Sequence, residues 1–144
     1  MKRVALIVVT AIAAACGGST MAPAVVAAPT GTVTTETFTG TVNPPVGGVL
    51  QHDSHNFTVA VDGSVTVTLT SAGPPPTIKM GLSVGTPASD GSCTALQGAF
   101  VETPAGITGM PLSGMIAAGT YCVDVLDTGN VLQAVAYTVT VSHT

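Results

Sequence analysis

The segment Ser64-Val65-Thr66-Val67-Thr68-Leu69-Thr70 alternates without a break, with Val65, Val67 and Leu69 on one side of an extended chain and hydroxyl residues on the other. Built largely from β-branched side chains, it reads as a strand with one buried face and one wet face, and no helical stripe can be drawn through it. The same period recurs in Phe57–Val61, Ile78–Val84, Tyr121–Val125 and Val135–Val141, and less strongly in Thr37–Val42, Ala99–Glu102 and Leu112–Ile116. Gly, Pro, Asn or Asp bounds each run. Eight short strands with no helical segment between them predict an all-β domain, an antiparallel sandwich of about eight strands, jelly-roll-like or immunoglobulin-like in plan.

Between Phe57–Val61 and Ser64–Thr70 stands Asp62-Gly63, which has the length and the tolerance of positive φ that a type I′ hairpin turn requires. The sequence therefore predicts that these two strands are paired neighbours. Pro74-Pro75-Pro76 lacks three amide hydrogens and must connect strands rather than lie within a sheet. Pro44-Pro45 reads the same way.

The N-terminus has a different character. Lys2-Arg3 precedes twelve apolar or small residues, Val4 to Ala15, which end in Ala13-Ala14-Ala15-Cys16-Gly17-Gly18. Twelve residues of helix span about 18 Å, short of the ~30 Å hydrocarbon core of a bilayer, so a cleaved export signal fits better than a membrane span. The run resembles the bacterial lipoprotein signal, in which small residues precede a cysteine that is acylated and becomes the new N-terminus. Ala13 stands where that pattern usually has Leu, and ordinary secretory cleavage nearby is the alternative. The resemblance implies that residues 1–15 are removed, that Cys16 is lipidated, and that 16–35, poor in charge and rich in Gly, Ala, Pro and Thr, is a linker to a domain at 36–144. Two or more acyl chains make such an anchor effectively permanent. By the same resemblance, Gly17 after the cysteine favours the outer membrane or cell surface.

Beyond the signal the chain keeps one cation, Lys79, against seven carboxylates (Glu36, Asp53, Asp62, Asp90, Glu102, Asp124 and Asp127), a formal charge of −6. One lysine and no arginine cannot neutralise a run of phosphates, which excludes nucleic acid as a partner. Two further cysteines, Cys93 in a Gly/Ser-rich loop and Cys122 in the polar phase of a strand, should pair in an oxidising compartment. Closing a loop of that length would contribute about 3.5 kcal/mol in the chain-entropy model. The alternative is two free thiols.

Phe38-Thr39-Gly40-Thr41-Val42, then His52-Asp53-Ser54-His55-Asn56-Phe57-Thr58-Val59, Gly63 to Leu69, Ala118-Gly119-Thr120-Tyr121-Cys122-Val123 and the terminal Tyr137-Thr138-Val139-Thr140-Val141 together resemble the bacterial pre-peptidase C-terminal domain and its relatives. The resemblance covers roughly Phe38 to Val141, and its motifs encode turns and core phase more than chemistry. It implies a small β-sandwich of secreted proteins, generally an accessory module, some members binding substrate or matrix and some holding calcium.

Four groups of residues could carry chemistry. Gly81-Leu82-Ser83-Val84-Gly85 matches the hydrolase nucleophile elbow, but that motif needs a strand, a strained turn and then a helix, whereas Thr86-Pro87 follows here. His52-Asp53-Ser54-His55 gathers metal-capable side chains in what reads as a polar loop entering a strand. Asp53 and His55 share a phase if extended, and His52 could join them from a turn. Oxygen ligands for calcium could come from Asp53, Asp62, Asp90, Asp124 or Asp127, without the spacing of an EF-hand loop. Carbohydrate recognition usually uses exposed aromatic platforms, and with no Trp this chain has few aromatics to spare from a core. The reading with most support is a non-enzymatic, exported, lipid-anchored module with a structural or interaction role at the cell envelope and no required cofactor. A calcium- or carbohydrate-binding accessory module is the alternative, and a Ser83 hydrolase a remote third.

Overall fold

The computed structural model describes residues 31–144. The signal segment, Cys16 and most of the expected linker lie outside them. Eight strands follow in order: β1 (Thr34–Val42), β2 (His52–Val59), β3 (Gly63–Gly73), β4 (Lys79–Pro87), β5 (Cys93–Pro104), β6 (Leu112–Ile116), β7 (Gly119–Leu126) and β8 (Val135–His143), with one 3₁₀ turn at Gly106–Thr108. They form two four-stranded antiparallel sheets, ordered β1-β8-β3-β6 and β2-β7-β4-β5. Of the two plans the sequence left open this is the jelly roll: among the described strands, every connection except β4–β5 carries the chain from one sheet to the other.

The core lies between the sheets and is built by the expected apolar phases. Val65, Val67 and Leu69 of β3 and Val135, Tyr137, Val139 and Val141 of β8 face Met80, Leu82 and Val84 of β4 and Val123 and Val125 of β7, all buried. Thr66, Thr68, Thr138 and Thr140 occupy the opposite phase of the first sheet and remain partly exposed. In the second sheet the outer phase is covered as well along β4 and at Cys122 and Asp124 of β7. Leu126 and Phe100 crowd the bare Cα of Gly81, and Cys93 Sγ lies against Gly85, so β4 is buried on both faces from Met80 to Gly85.

The predicted Asp62-Gly63 hairpin is not present. β2 and β3 belong to different sheets, Gly63 is already in β3, and it does not have positive φ. The two strands aim their apolar phases at one core from opposite sides, so period-two alternation fits a neighbour across the core as well as a neighbour beside it. Long-range contacts decide between the two: Asp62 Oδ1 accepts the Ala118 N–H at 2.7 Å, and Thr144 fills the space a side chain at Gly63 would need.

Two boundaries also move. Cys93 is not in a loop but opens β5, and His52-Asp53-Ser54-His55 lies within β2 rather than in a loop before it. In both places pairing supplies what the sequence lacks, since polar residues are held extended by partners Pro87 and Leu126 to Val123 in the register. The Cys93–Cys122 disulfide is formed, with Cα atoms 5.8 Å apart, and it lies on the outer face of the second sheet.

Candidate functional site

β1 and β2 are outer strands of their respective sheets and meet along one open side of the sandwich. Several inward positions of β1 and β2 keep some exposure and are polar or aromatic, among them Glu36, Phe38, Asp53 and His55, while Val42 and Val59 are fully buried. Tyr137 OH, from β8, donates to Asp53 Oδ2 at 2.8 Å and lies 2.8 Å from His55 Nε2. The phenol has one proton and gives it to Asp53, so His55 Nε2 must carry its own and donate to the Tyr137 oxygen. The His55 ring stacks on Phe38 of β1, with centroids 5.0 Å apart and planes 11° apart. Gly40 completes the arrangement by omission, because a Cβ there would run into Asp53 Oδ2 and the Tyr137 hydroxyl.

Burial raises the Tyr137 phenol well above its ordinary range, and hydrogen bonding and charge from Asp53 act in the same direction. A phenol so placed keeps its proton and joins the two sheets; it does not supply a nucleophile. Further along the same side, His143 Nε2 lies 3.1 Å from Glu36 Oε1, and the ring is tilted against Phe57.

His52 points the other way. Alternation sends it to the outer face of the second sheet, where its Nδ1 lies 3.0 Å from Asp124 Oδ1 in a hollow of about 250 Å³ beside Ser92, Cys93 and Asp127. It therefore cannot join Asp53 and His55 around a common ion, and among the described residues no three His, Cys, Asp or Glu side chains gather in a metal-binding cluster. Burial pushes the Asp124 carboxyl above its ordinary pKa, against the lowering effect of the His52 hydrogen bond.

The remaining calcium candidates are engaged elsewhere. Asp90 holds both Ser92 N–H and Ser92 Oγ, Asp62 holds Ala118 N–H, and Asp127 Oδ1 accepts from the amides of Gly129, Asn130 and Val131. The Asp90 and Asp127 contacts fix local turns through one carboxylate, as Asx geometry commonly does, while the Asp62 contact ties the β2–β3 crossing to the start of β7; Asp127 Oδ2 is buried without a hydrogen-bond partner. Ser83 is buried in mid-β4, opposite Phe100 on one side and Asp124 on the other, where no strand-to-helix turn exists to present it.

The opposite open side, between β5 and β6, has a different chemistry and was not singled out from the sequence. Between Ser83↔Phe100 and Gly85↔Ala95 the register jumps, so four residues of β5, Leu96 to Ala99, bulge out against the single Val84. Gly98, with φ +76°, allows the bend. Across from the bulge, Gly114 of β6 has open space where a side chain would stand. The result is an apolar groove of about 200 Å³ that leads in to Val65 and Val84 between lips formed by Leu96 and Ala99 on one side and Leu112 and Met115 on the other. Met115 is 77% exposed, and Phe100, Ile107 and Met110 of the same stretch of chain are also more than half exposed.

No protein-family model matches this chain, and no curated protein is significantly similar to it.

Proposed function

We propose that this chain is an exported, lipid-anchored interaction module of the cell envelope, tethered through Cys16 and using the β5–β6 rim to hold a protein partner. The observation that carries the reading is the contrast between the two open sides. One is closed by Tyr137, Asp53, His55 and the Glu36–His143 pair; the other exposes Leu96 and Met115 around a groove with no charged lining. A groove of about 200 Å³ is smaller than the ~300–1,000 Å³ usual for small-molecule sites, which favours a protein surface as its occupant.

The tether supports the same reading. The chain enters through β1, at the far end of its sheet from β6, so the anchored edge and the rim are on opposite sides of the domain. Calcium has less support because Asp62, Asp90 and Asp127 each commit one oxygen to a backbone amide and do not gather with other carboxylates, and among the aromatics only Phe100 is substantially exposed for a sugar to stack on.

The test is a photo-crosslinking residue at position 115, with one at position 39 on β1 as control, in the full-length chain in its own membrane. Adducts at 115 and none at 39 support the reading, and absence of adducts at 115 overturns it. The intact mass of the membrane-extracted protein, with or without acyl chains on Cys16, tests the anchor separately.

A further inference from the structure

We infer that Asp53, His55 and Tyr137, besides joining the sheets, are the protein donors of a site for a dipositive transition ion of square preference, copper(II) foremost. The site is independent of the β5–β6 rim. Three distances carry the inference. Tyr137 OH lies 2.8 Å from Asp53 Oδ2 and 2.8 Å from His55 Nε2, and Nε2 lies 3.9 Å from Oδ2. A triangle with these sides is nearly right-angled at the phenol oxygen, so the point equidistant from all three donors falls midway along its 3.9 Å edge. That point is about 2.0 Å from each donor, the length of a bond from a transition ion to an imidazole nitrogen or a carboxylate oxygen. His55 and Asp53 then stand opposite each other with Tyr137 at right angles to both, three corners of a square. Square sets of nitrogen and oxygen suit copper(II) or nickel(II), and copper(II) binds the tighter of the two. A tetrahedral zinc site would hold every pair of donors about 3.3 Å apart, and calcium would need six or more oxygens at about 2.3–2.6 Å.

The surroundings fit such an ion. Asp53 and His55 share one phase of β2, and Tyr137 comes to them from β8, so all three donors stand on strands. The stack of His55 on Phe38 fixes the aim of Nε2, and Gly40 leaves clear the space beside Oδ2 and the phenol that a Cβ would fill. The side chains of His55 and Asp53 are 24% and 35% exposed, which lets an ion enter from solvent and a water complete the square. With seven carboxylates against Lys79 beyond the signal, the field of the chain favours a dication. As the ion binds, the Tyr137 phenol passes its proton to water and bonds through oxygen, and the imidazole proton moves from Nε2 to Nδ1. Burial and the Asp53 charge keep the phenol protonated in the free protein; the two positive charges of a bound ion invert that balance at the oxygen.

The test is a copper(II) titration of the membrane-extracted full-length chain, any free Cys16 thiol alkylated, against glycine as competitor and followed by visible absorption and electron paramagnetic resonance. The expected result is one equivalent of copper with a square-type resonance spectrum and a phenolate-to-copper charge-transfer band. Tyr137→Phe, its fold checked by circular dichroism, should lose the band and bind at least tenfold more weakly. Asp53→Asn and His55→Gln should each weaken binding at least tenfold, while His52→Ala, on the outer face of the second sheet, leaves affinity and band unchanged. A titration without the band, a band that survives Tyr137→Phe, or copper lost with His52→Ala overturns the proposal.

Discussion

The Tyr137 hydroxyl reaches from one sheet to the Asp53 carboxylate on the other, 2.8 Å away, at a position where the neighbouring strand contributes only the bare Cα of Gly40. Tyr137→Phe deletes that hydroxyl and leaves Asp53 Oδ2 and His55 Nε2 facing an apolar ring edge. Both groups keep some exposure to water, which replaces part of the lost bonding, so the cost is about 0.5–1.5 kcal/mol, the net value of one hydrogen bond. Urea unfolding of the variant should show that loss with an unchanged slope, and an unchanged midpoint would mean that the network does not hold the sheets together.

Gly40→Ala attacks the same contact from the other side. Its methyl group has to displace the Asp53 carboxylate or the Tyr137 hydroxyl, a steric insertion of the kind that costs about 1–3 kcal/mol. Because the obstacle is partly the hydroxyl itself, Gly40→Ala should cost less in the Tyr137→Phe background than alone. A double-mutant cycle reads this as a coupling energy, and strict additivity would contradict the shared contact.

The sequence showed which residues turn inward but not which strands are neighbours. Val65, Val67 and Leu69, and Val135 to Val141, were assigned to their faces correctly because a half-buried strand must alternate. Asp62-Gly63 misled because local turn chemistry cannot distinguish a hairpin from a crossing between sheets; Thr144 and Ala118, distant in sequence, hold it. His52 and His55 read as one cluster until pairing with β7 fixed the strand and sent them to opposite faces. The Glu36–His143 and Tyr137–Asp53 contacts join residues more than eighty positions apart, beyond any spacing rule. The β5–β6 groove arises from a bulge and one glycine, and only Gly98 and Gly114, unremarkable in a glycine-rich chain, hinted at it.

The Cys93–Cys122 bridge closes a loop with a sequence separation of 29 in a domain of modest size. The chain-entropy relation assigns about 3.5 kcal/mol to such a loop, a large part of the ~5–15 kcal/mol by which domains are usually stable. Paired Cys93→Ala and Cys122→Ala replacement should lower the unfolding free energy measured in urea by that order and leave the fold unchanged by circular dichroism. A loss under about 1 kcal/mol would mean that the unfolded chain is already compact around these positions.

Asp124 makes the pH dependence of stability testable. Burial raises its pKa above the ordinary 3.8, while the His52 hydrogen bond lowers it. A carboxyl with a raised pKa in the folded state keeps its proton after the unfolded chain has lost it, so over the window above 3.8 the folded state binds more protons. Stability contributed by this group therefore falls as pH rises through the window and does not return at neutral pH. In Asp124→Asn the amide oxygen can still accept from His52 Nδ1–H, but no charge has to be buried. The variant should lack this fall as pH rises above 3.8 and be at least as stable as the parent at about pH 7, as urea midpoints across the range would show. A variant clearly weaker at pH 7 would mean instead that ionised Asp124 gains more from His52 than it loses by leaving water.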